Sequence, residues 1–506
     1  MAEADDQAPG LIERIRQGWS TRRFARATVD RVAPPPSPLQ PIDLADDAAV
    51  TEVLRVALWI GEVLLASGTA AIDTETQVGQ IAAAYGLYNT DVNTTYDSIA
   101  ISALRGENLP PIGAIRIVKS RAHDFTRISQ ADRLVRTILR GGIDPAEALD
   151  QIGRISESPH AYPRWVATLG WAGLAGAIAA LLGAGALVTL VAGATTVVID
   201  RVNIFLGRIG LPAFFQQVVG GFIATVPAAV LYAMRSQLDI SVRPSLIIAA
   251  GVIVLLSGLS LVGSVQDAIT GAPITGVGRF FELLVMTGGI IAGVALGLRA
   301  AAALGYPLPA IAPAQYTGDL TALPIQVTAG AVAATAYAVA CYAQTRALLV
   351  SALAGAVGIT IFVVAGYLGA GVVVAAGAAA AVVGLAGGLL ARLALTPPMI
   401  VDMSGITPLL PGLAIYRGLY AMLNEDPVTG MSHMGSALTI GAALASGVVL
   451  GEWVARLLRR PRMLSGAPIP IRIPALPTRR PRLPHLRPPR PPQGPTTPPA
   501  TPTPPA

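Results

Sequence analysis

Between Val166 and Ala455 lie 290 residues that carry only 18 Asp, Glu, Lys and Arg, against 48 in the other 216. A soluble fold of that size cannot cover its surface with so few charges, so this stretch constrains the chain more than any other feature. It reads as a bundle of membrane-crossing helices. A crossing needs about 20 apolar residues, and ten segments fit: 166–182, 185–199, 214–234, 245–264 and 277–298, then 322–340, 347–365, 369–390, 399–422 and 434–457.

The ten segments fall into two sets of five. Residues 255–276 read LLSGLSLVGSVQDAITGAPITG and residues 409–430 read LLPGLAIYRGLYAMLNEDPVTG, at a constant offset of 154. Each opens on an apolar run broken at a glycine and ends in a Pro-x-Thr-Gly turn. Extending the match without a gap to Gly297 gives 12 identities in 43 positions, which points to an internal duplication. Five crossings are an odd number, so the second copy enters from the opposite side. The expected fold class is therefore an α-helical polytopic membrane protein built as a 5+5 inverted repeat, from residues 164–304 and 305–460.

What flanks the bundle is different in kind. Residues 1–41 mix acids, arginines and a triple proline and read as a disordered tail. Residues 42–163 have the periodicities of a small α/β domain. Asp46 can cap a helix with Val50, Val53, Leu54, Ala57, Ile60 and Leu64 on one face, closed by Gly68, and a second helix stops at Gly86. Strand-like runs follow at Ser98 and Ile115, then helices again, one starting at Asp144-Pro145-Ala146-Glu147. Residues 461–506 hold 17 of the 41 prolines and no acid. They form a disordered Pro/Arg-rich tail, either a tether to anionic lipid or a ligand for a partner domain.

The net charge of +6 is not a nucleic-acid footprint, because ten arginines lie between Arg456 and Arg490. Positive charge beside the last span marks the cytoplasmic side. With an even number of spans, both termini are expected in the cytoplasm and the protein in the plasma membrane. One cysteine, Cys341, excludes an internal disulfide, and the four histidines share no metal-ligand spacing, so no metal or cofactor is expected.

The residues resemble the bacterial threonine/serine exporters, over nearly all of 46–458. The likeness rests on GEVLLASGTAAIDTETQVGQIAAAYGL, with its Ser67-Gly68 junction and Glu75, and on GITPLLPGLAIYRGLY in the membrane part. Ser257 departs from the pattern, since proline is expected there by analogy with Pro411. The resemblance implies no enzyme but a proton-driven antiporter that exports L-threonine, L-serine or a related small amino acid, with the substrate and protons as its partners.

Membrane transport of a zwitterion needs partners for a carboxylate and an ammonium at membrane depth, and broken helices expose both. Gly258, Pro411 and Gly412 sit at the expected breaks, and Ser257, Ser260 and Thr407 add hydroxyls; the same small residues also serve helix packing. Proton coupling needs an ionisable group within the membrane. Asp267, Arg417, Glu282 and Asp402 are the candidates, with Asp267 either a coupling group or a solvated loop residue. The alternative is a membrane-anchored hydrolase or sensor whose activity lies in residues 42–163, where Ser98 or Ser102, His123 and Asp124 supply polar groups but no nucleophile motif. That reading requires a polar cleft in those residues and a dry bundle, whereas an exporter requires a cavity between helices.

Overall fold

The computed structural model describes residues 41–105, 109–119, 123–234, 244–255, 258–308, 320–391, 396–424 and 426–458. Both terminal tails, the proposed lipid contact of the arginines after residue 458 and Ser257 lie outside these residues. The described part belongs to one compact unit.

The N-terminal layer opens with α1 (Asp47–Ala66) and α2 (Ala71–Ala84). Asp46 accepts the Ala48 amide and so caps α1, as the sequence indicated. Gly68 and Gly86, at φ +100°, end the two helices in a conformation that a side chain would strain. Strands β1 (Thr90–Thr95), β2 (Ser98–Ala103) and β3 (Ile112–Ile117) form an antiparallel sheet in that order. Helices α3 (Phe125–Leu139) and α4 (Pro145–Glu157) complete the layer. Val53, Leu54, Ile60, Ile81, Ile99 and Ile138 are among the residues of its common core, so this α/β layer buries an apolar interior of its own.

The remaining helices are α5 (Arg164–Leu181), α6 (Ala186–Arg208), α7 (Ala213–Ala233), α8 (Pro244–Leu255), α9 (Gly258–Thr270), α10 (Pro273–Ala303), α11 (Leu323–Ala340), α12 (Thr345–Tyr367), α13 (Val372–Leu390), α14 (Pro398–Ile406), α15 (Gly412–Asn424) and α16 (Pro427–Leu458). Among the described residues, eight are long and apolar enough to cross a membrane. The other four form two pairs. α8 and α9 stand where one crossing was expected, at 245–264. Likewise α14, a 3-10 turn (Thr407–Leu409) and α15 stand at 399–422. Within the described residues these helices run nine to thirteen residues, a rise of about 14–20 Å at 1.5 Å each, too short to cross alone.

Large apolar side chains point outward along the bundle: Leu190 is 71% exposed, Phe281 66% and Leu349 68%. Water would not tolerate such a belt, but lipid does. Inside, small residues let backbones meet. A Cβ on Gly170 of α5 would lie 2.6 Å from the Ala340 amide of α11, and one on Gly384 of α13 would lie 2.6 Å from the Val448 carbonyl of α16, the small-residue contact by which helices associate in lipid.

The N-terminal layer is hydrogen-bonded to this bundle at two places. Phe125 donates its amide to the Cys341 carbonyl (2.9 Å), Thr126 its hydroxyl to Tyr342 (2.5 Å) and Tyr162 its hydroxyl to Ala343 (2.6 Å), all on the turn between α11 and α12. At the second place β1 and the start of α2 meet the bundle, Thr275 of α10 bonding the Tyr96 amide and the Thr94 carbonyl and Asp267 of α9 the Ala71 amide, with α14 alongside. There the cavity lies.

Candidate functional site: a charged cavity under helix α2

A small cavity of about 40 Å³ is lined by Thr69, Ala70 and Asp73 from the N-terminal layer, by Val262, Gly263, Gln266 and Arg279 from α9 and α10, and by Met399, Asp402, Met403, Ile406, Val448 and Glu452 from α14 and α16. At its edge Asp267 is fully buried. Its Oδ1 accepts the Ala71 amide at 2.9 Å and its Oδ2 pairs with Arg279 Nη1 at 2.6 Å. Ala70 caps α2 without a side-chain hydrogen bond, so the positive end of that helix is met by a carboxylate from the membrane bundle.

On the opposite wall Asp402 is 4% exposed, and neither of its oxygens receives a hydrogen bond from a donor among the described residues. It faces the Glu452 carboxyl within hydrogen-bonding reach. Gly387 of α13 makes this possible, because a Cβ there would overlap the Asp402 carboxylate. Glu452 in turn lies 3.7 Å from Arg456. Asp73 comes from α2. Burial pushes its carboxyl up to about 7, the nearby Glu452 and Asp267 adding to the rise and Arg456 opposing it.

Asp73 also lines a neighbouring cavity of about 290 Å³ with Thr69, Gln77, Asp132, Pro397, Met399, Glu452 and Arg456. A third, of about 410 Å³, lies against the N-terminal half of α16 and is lined among others by Phe362, Pro408, Leu410, Pro411, Arg417, His433, Ser436 and Thr439. Ile406 borders the small cavity and Pro408 the 410 Å³ one. The broken stretch after α14 therefore separates the two spaces.

The structure brings only some of the residues singled out in the sequence to these cavities. Asp402 lines the small one with Asp267 beside it, and Pro411 and Arg417 line the 410 Å³ one. Gly258 and Gly412 are the first residues of α9 and α15. Thr407 is buried in the break, its hydroxyl bonded to the Met403 carbonyl at 2.6 Å, and Ser260 is half-buried in α9. Glu282 is exposed on α10 and borders none of these cavities. Asp73, Arg279 and Glu452 were missed. The first lies in a helix read as soluble, and the other two lie near span ends where a solvated charge is unremarkable. Asp124 and His160 pair at 2.7 Å, and Asp124 also caps α3, so that aspartate is fully engaged in structure.

A family model described as "Putative threonine/serine exporter" matches residues 55–301, and one described as "Threonine/Serine exporter, ThrE" matches 326–454. The "Threonine/serine exporter" of Corynebacterium glutamicum is 46% identical over 449 residues, 88% of this chain and 91% of that protein. The chain belongs to the threonine/serine exporter family. The "Probable threonine/serine exporter" of Mycobacterium tuberculosis is 36% identical over 419 residues, 82% of this chain and 78% of the relative. No solved structure matches this exporter-family chain. Membership makes it a multi-pass membrane transporter and not an enzyme.

Proposed function

We propose that this chain exports small hydroxyl-bearing amino acids of the threonine and serine class across the plasma membrane, with entry of protons driving the export. The observation that carries the reading is the small cavity, whose walls hold an arginine on one side and two facing carboxyls on the other. A zwitterion has the complementary pair of charges. The cavities of 290 and 410 Å³ flank it as the vestibules of the two sides.

The two halves act as a five-plus-five inverted repeat. Several observations favour this. Both halves place a helix pair before their longest helix, 31 residues in α10 and 32 in α16. In both, the third helix packs on the last, α7 on α10 and α13 on α16, and the second short helix packs on the last too. A Cβ on Gly276 would lie 2.6 Å from the Ser264 carbonyl and one on Gly430 2.9 Å from the Gly418 carbonyl, and both glycine and contact are related by the same offset of 154. The family models also divide between residues 301 and 326. Alternating access then follows from exchange of conformation between halves about the cavity. The orientation with both ends cytoplasmic rests on the arginines after residue 455.

Among the coupling candidates, Asp402 is favoured. Asp402 is buried, neither of its oxygens receives a hydrogen bond from a donor among the described residues, and it faces the Glu452 carboxyl across the cavity wall, so its charge is left uncompensated. Asp267 is engaged in an ion pair, Arg417 lines the 410 Å³ cavity, and Glu282 lines none of the three. Pro411 and Gly412 shape the break on the path between the spaces; Thr407 lies within it, and Gly258 and Ser260 belong to the first turn of α9. The test is amino-acid flux in vesicles containing the whole chain. Efflux should rise with an imposed pH gradient, and Asp402→Asn should lose that rise while threonine–threonine exchange persists. Gradient-driven efflux at the wild-type rate from the variant would overturn the coupling assignment, and no flux of threonine or serine in either direction would overturn the exporter reading.

A further inference from the structure

The cavity has one feature that simple transport of a zwitterion does not require: its arginine is already paired. Arg279 is 7% exposed and its Nη1 holds Asp267 Oδ2 at 2.6 Å, while the Ala71 amide holds Oδ1 at 2.9 Å. A guanidinium and a helix N-terminal amide converging on one carboxylate form a carboxylate receptor. The helix is long enough for a real terminus, 14 residues, and has no side-chain cap of its own. Arg279 and Ala70 both line the cavity. Across it stands Asp402, buried, accepting no hydrogen bond from a donor among the described residues. A buried anion in that state is stable only if neutralised or met by a cation.

With Asp267 in place the cavity measures about 40 Å³, which is room for a water or two and not for an amino acid. The receptor is thus filled, and the carboxyl pair opposite is empty. We propose that Asp267 is an internal stand-in for the α-carboxylate of the transported amino acid: substrate displaces it from Arg279 and the Ala71 amide while its ammonium meets Asp402 and Glu452. The first turn of α2 is then part of the binding site, and the N-terminal layer takes part in substrate recognition. In this state Asp267 also latches α2 onto α9, so that substrate binding and release of the latch are one event. This rests on the exporter reading.

The test is binding to the purified full chain in lipid nanodiscs by calorimetry, with two probes, L-threonine and L-threoninol, which has an alcohol in place of the carboxylate. Removing the competitor by Asp267→Ala should tighten L-threonine by about tenfold or more, the worth of a charged hydrogen bond, and leave L-threoninol unchanged. Adding Arg279→Gln should abolish that gain. Should the alanine variant not fold, Asp267→Asn removes the charge at constant shape and is expected to shift binding in the same direction. Weaker or unchanged L-threonine binding to a folded variant overturns the proposal, as does an equal gain for both probes. Vesicle flux by the wild type separates the two ideas: efflux without the carboxylate-specific gain sinks only the stand-in, and no efflux sinks the exporter reading itself.

Discussion

Thr275 accepts a hydrogen bond from the Tyr96 amide and donates one to the Thr94 carbonyl, both at 3.1 Å, so the first Pro-x-Thr-Gly turn is fastened to the edge strand β1. Its counterpart Thr429 is exposed and, among the described residues, bonded only within its own turn, to Asp426 at 3.3 Å. The same Pro-x-Thr-Gly turn begins α10 and α16, but Asp426 caps the second helix through the Val428 and Thr429 amides, whereas Ala272 leaves the first without a side-chain cap. One motif thus serves docking in one half and capping in the other.

Thr275→Val should therefore cost about 1–3 kcal/mol, because the amide and carbonyl of β1 lose their partner in a buried place. Thr429→Val should stay within about 0.5 kcal/mol, as exposed substitutions do. Thermal unfolding in detergent, followed by tryptophan fluorescence, measures the difference.

Asp73 predicts a dependence on pH. Its folded carboxyl lies near 7 against 3.8 ordinarily. A raised acid contributes stability fully below the unfolded value and loses it as pH rises through the folded one. Docking of α2 should accordingly weaken between about pH 4 and 7 and level off above. Asp73→Asn removes the charge and should flatten this part of the profile, leaving the variant more stable than wild type at pH 8. Melting temperatures of both proteins from pH 5 to 8 check it.

Gly412 is the buried first residue of α15, where the chain leaves the break. Gly412→Leu should abolish efflux in vesicles while the protein still inserts and elutes as a single species. Gly293→Leu is the contrasting case, since a Cβ there would overlap the Val218 carbonyl of α7; it should reduce folded yield as well as transport.

Topology is tested with reporters active only outside the cytoplasm. A fusion after Arg490 should be silent and one inserted between α15 and α16 active, because both ends of the chain are proposed to be cytoplasmic. Activity at both positions would exclude that arrangement.

Much of the fold was legible in the sequence because it follows from local chemistry. Runs of about 20 apolar residues can only be helices in lipid, where every backbone amide must be bonded within its own segment. Asp46, Asp144 and Gly86 end or begin helices by interactions within a few residues. The interruption before Gly412 also showed, since glycine and proline act on their own backbone. The site was legible only in part. Asp402 was one of four coupling candidates, named behind Asp267 and Arg417, and the Glu452 carboxyl it faces lies 50 residues further along the chain. Asp267 looked like a titrating or solvated residue because nothing nearby in the chain neutralises it. Only tertiary packing brings Arg279 and, from 196 residues away, the amide of Ala71 to its two oxygens. Charge pairing depends on distance in space, and a periodic sequence of helices does not determine which helix ends meet; the docking of α2 over the bundle decided that.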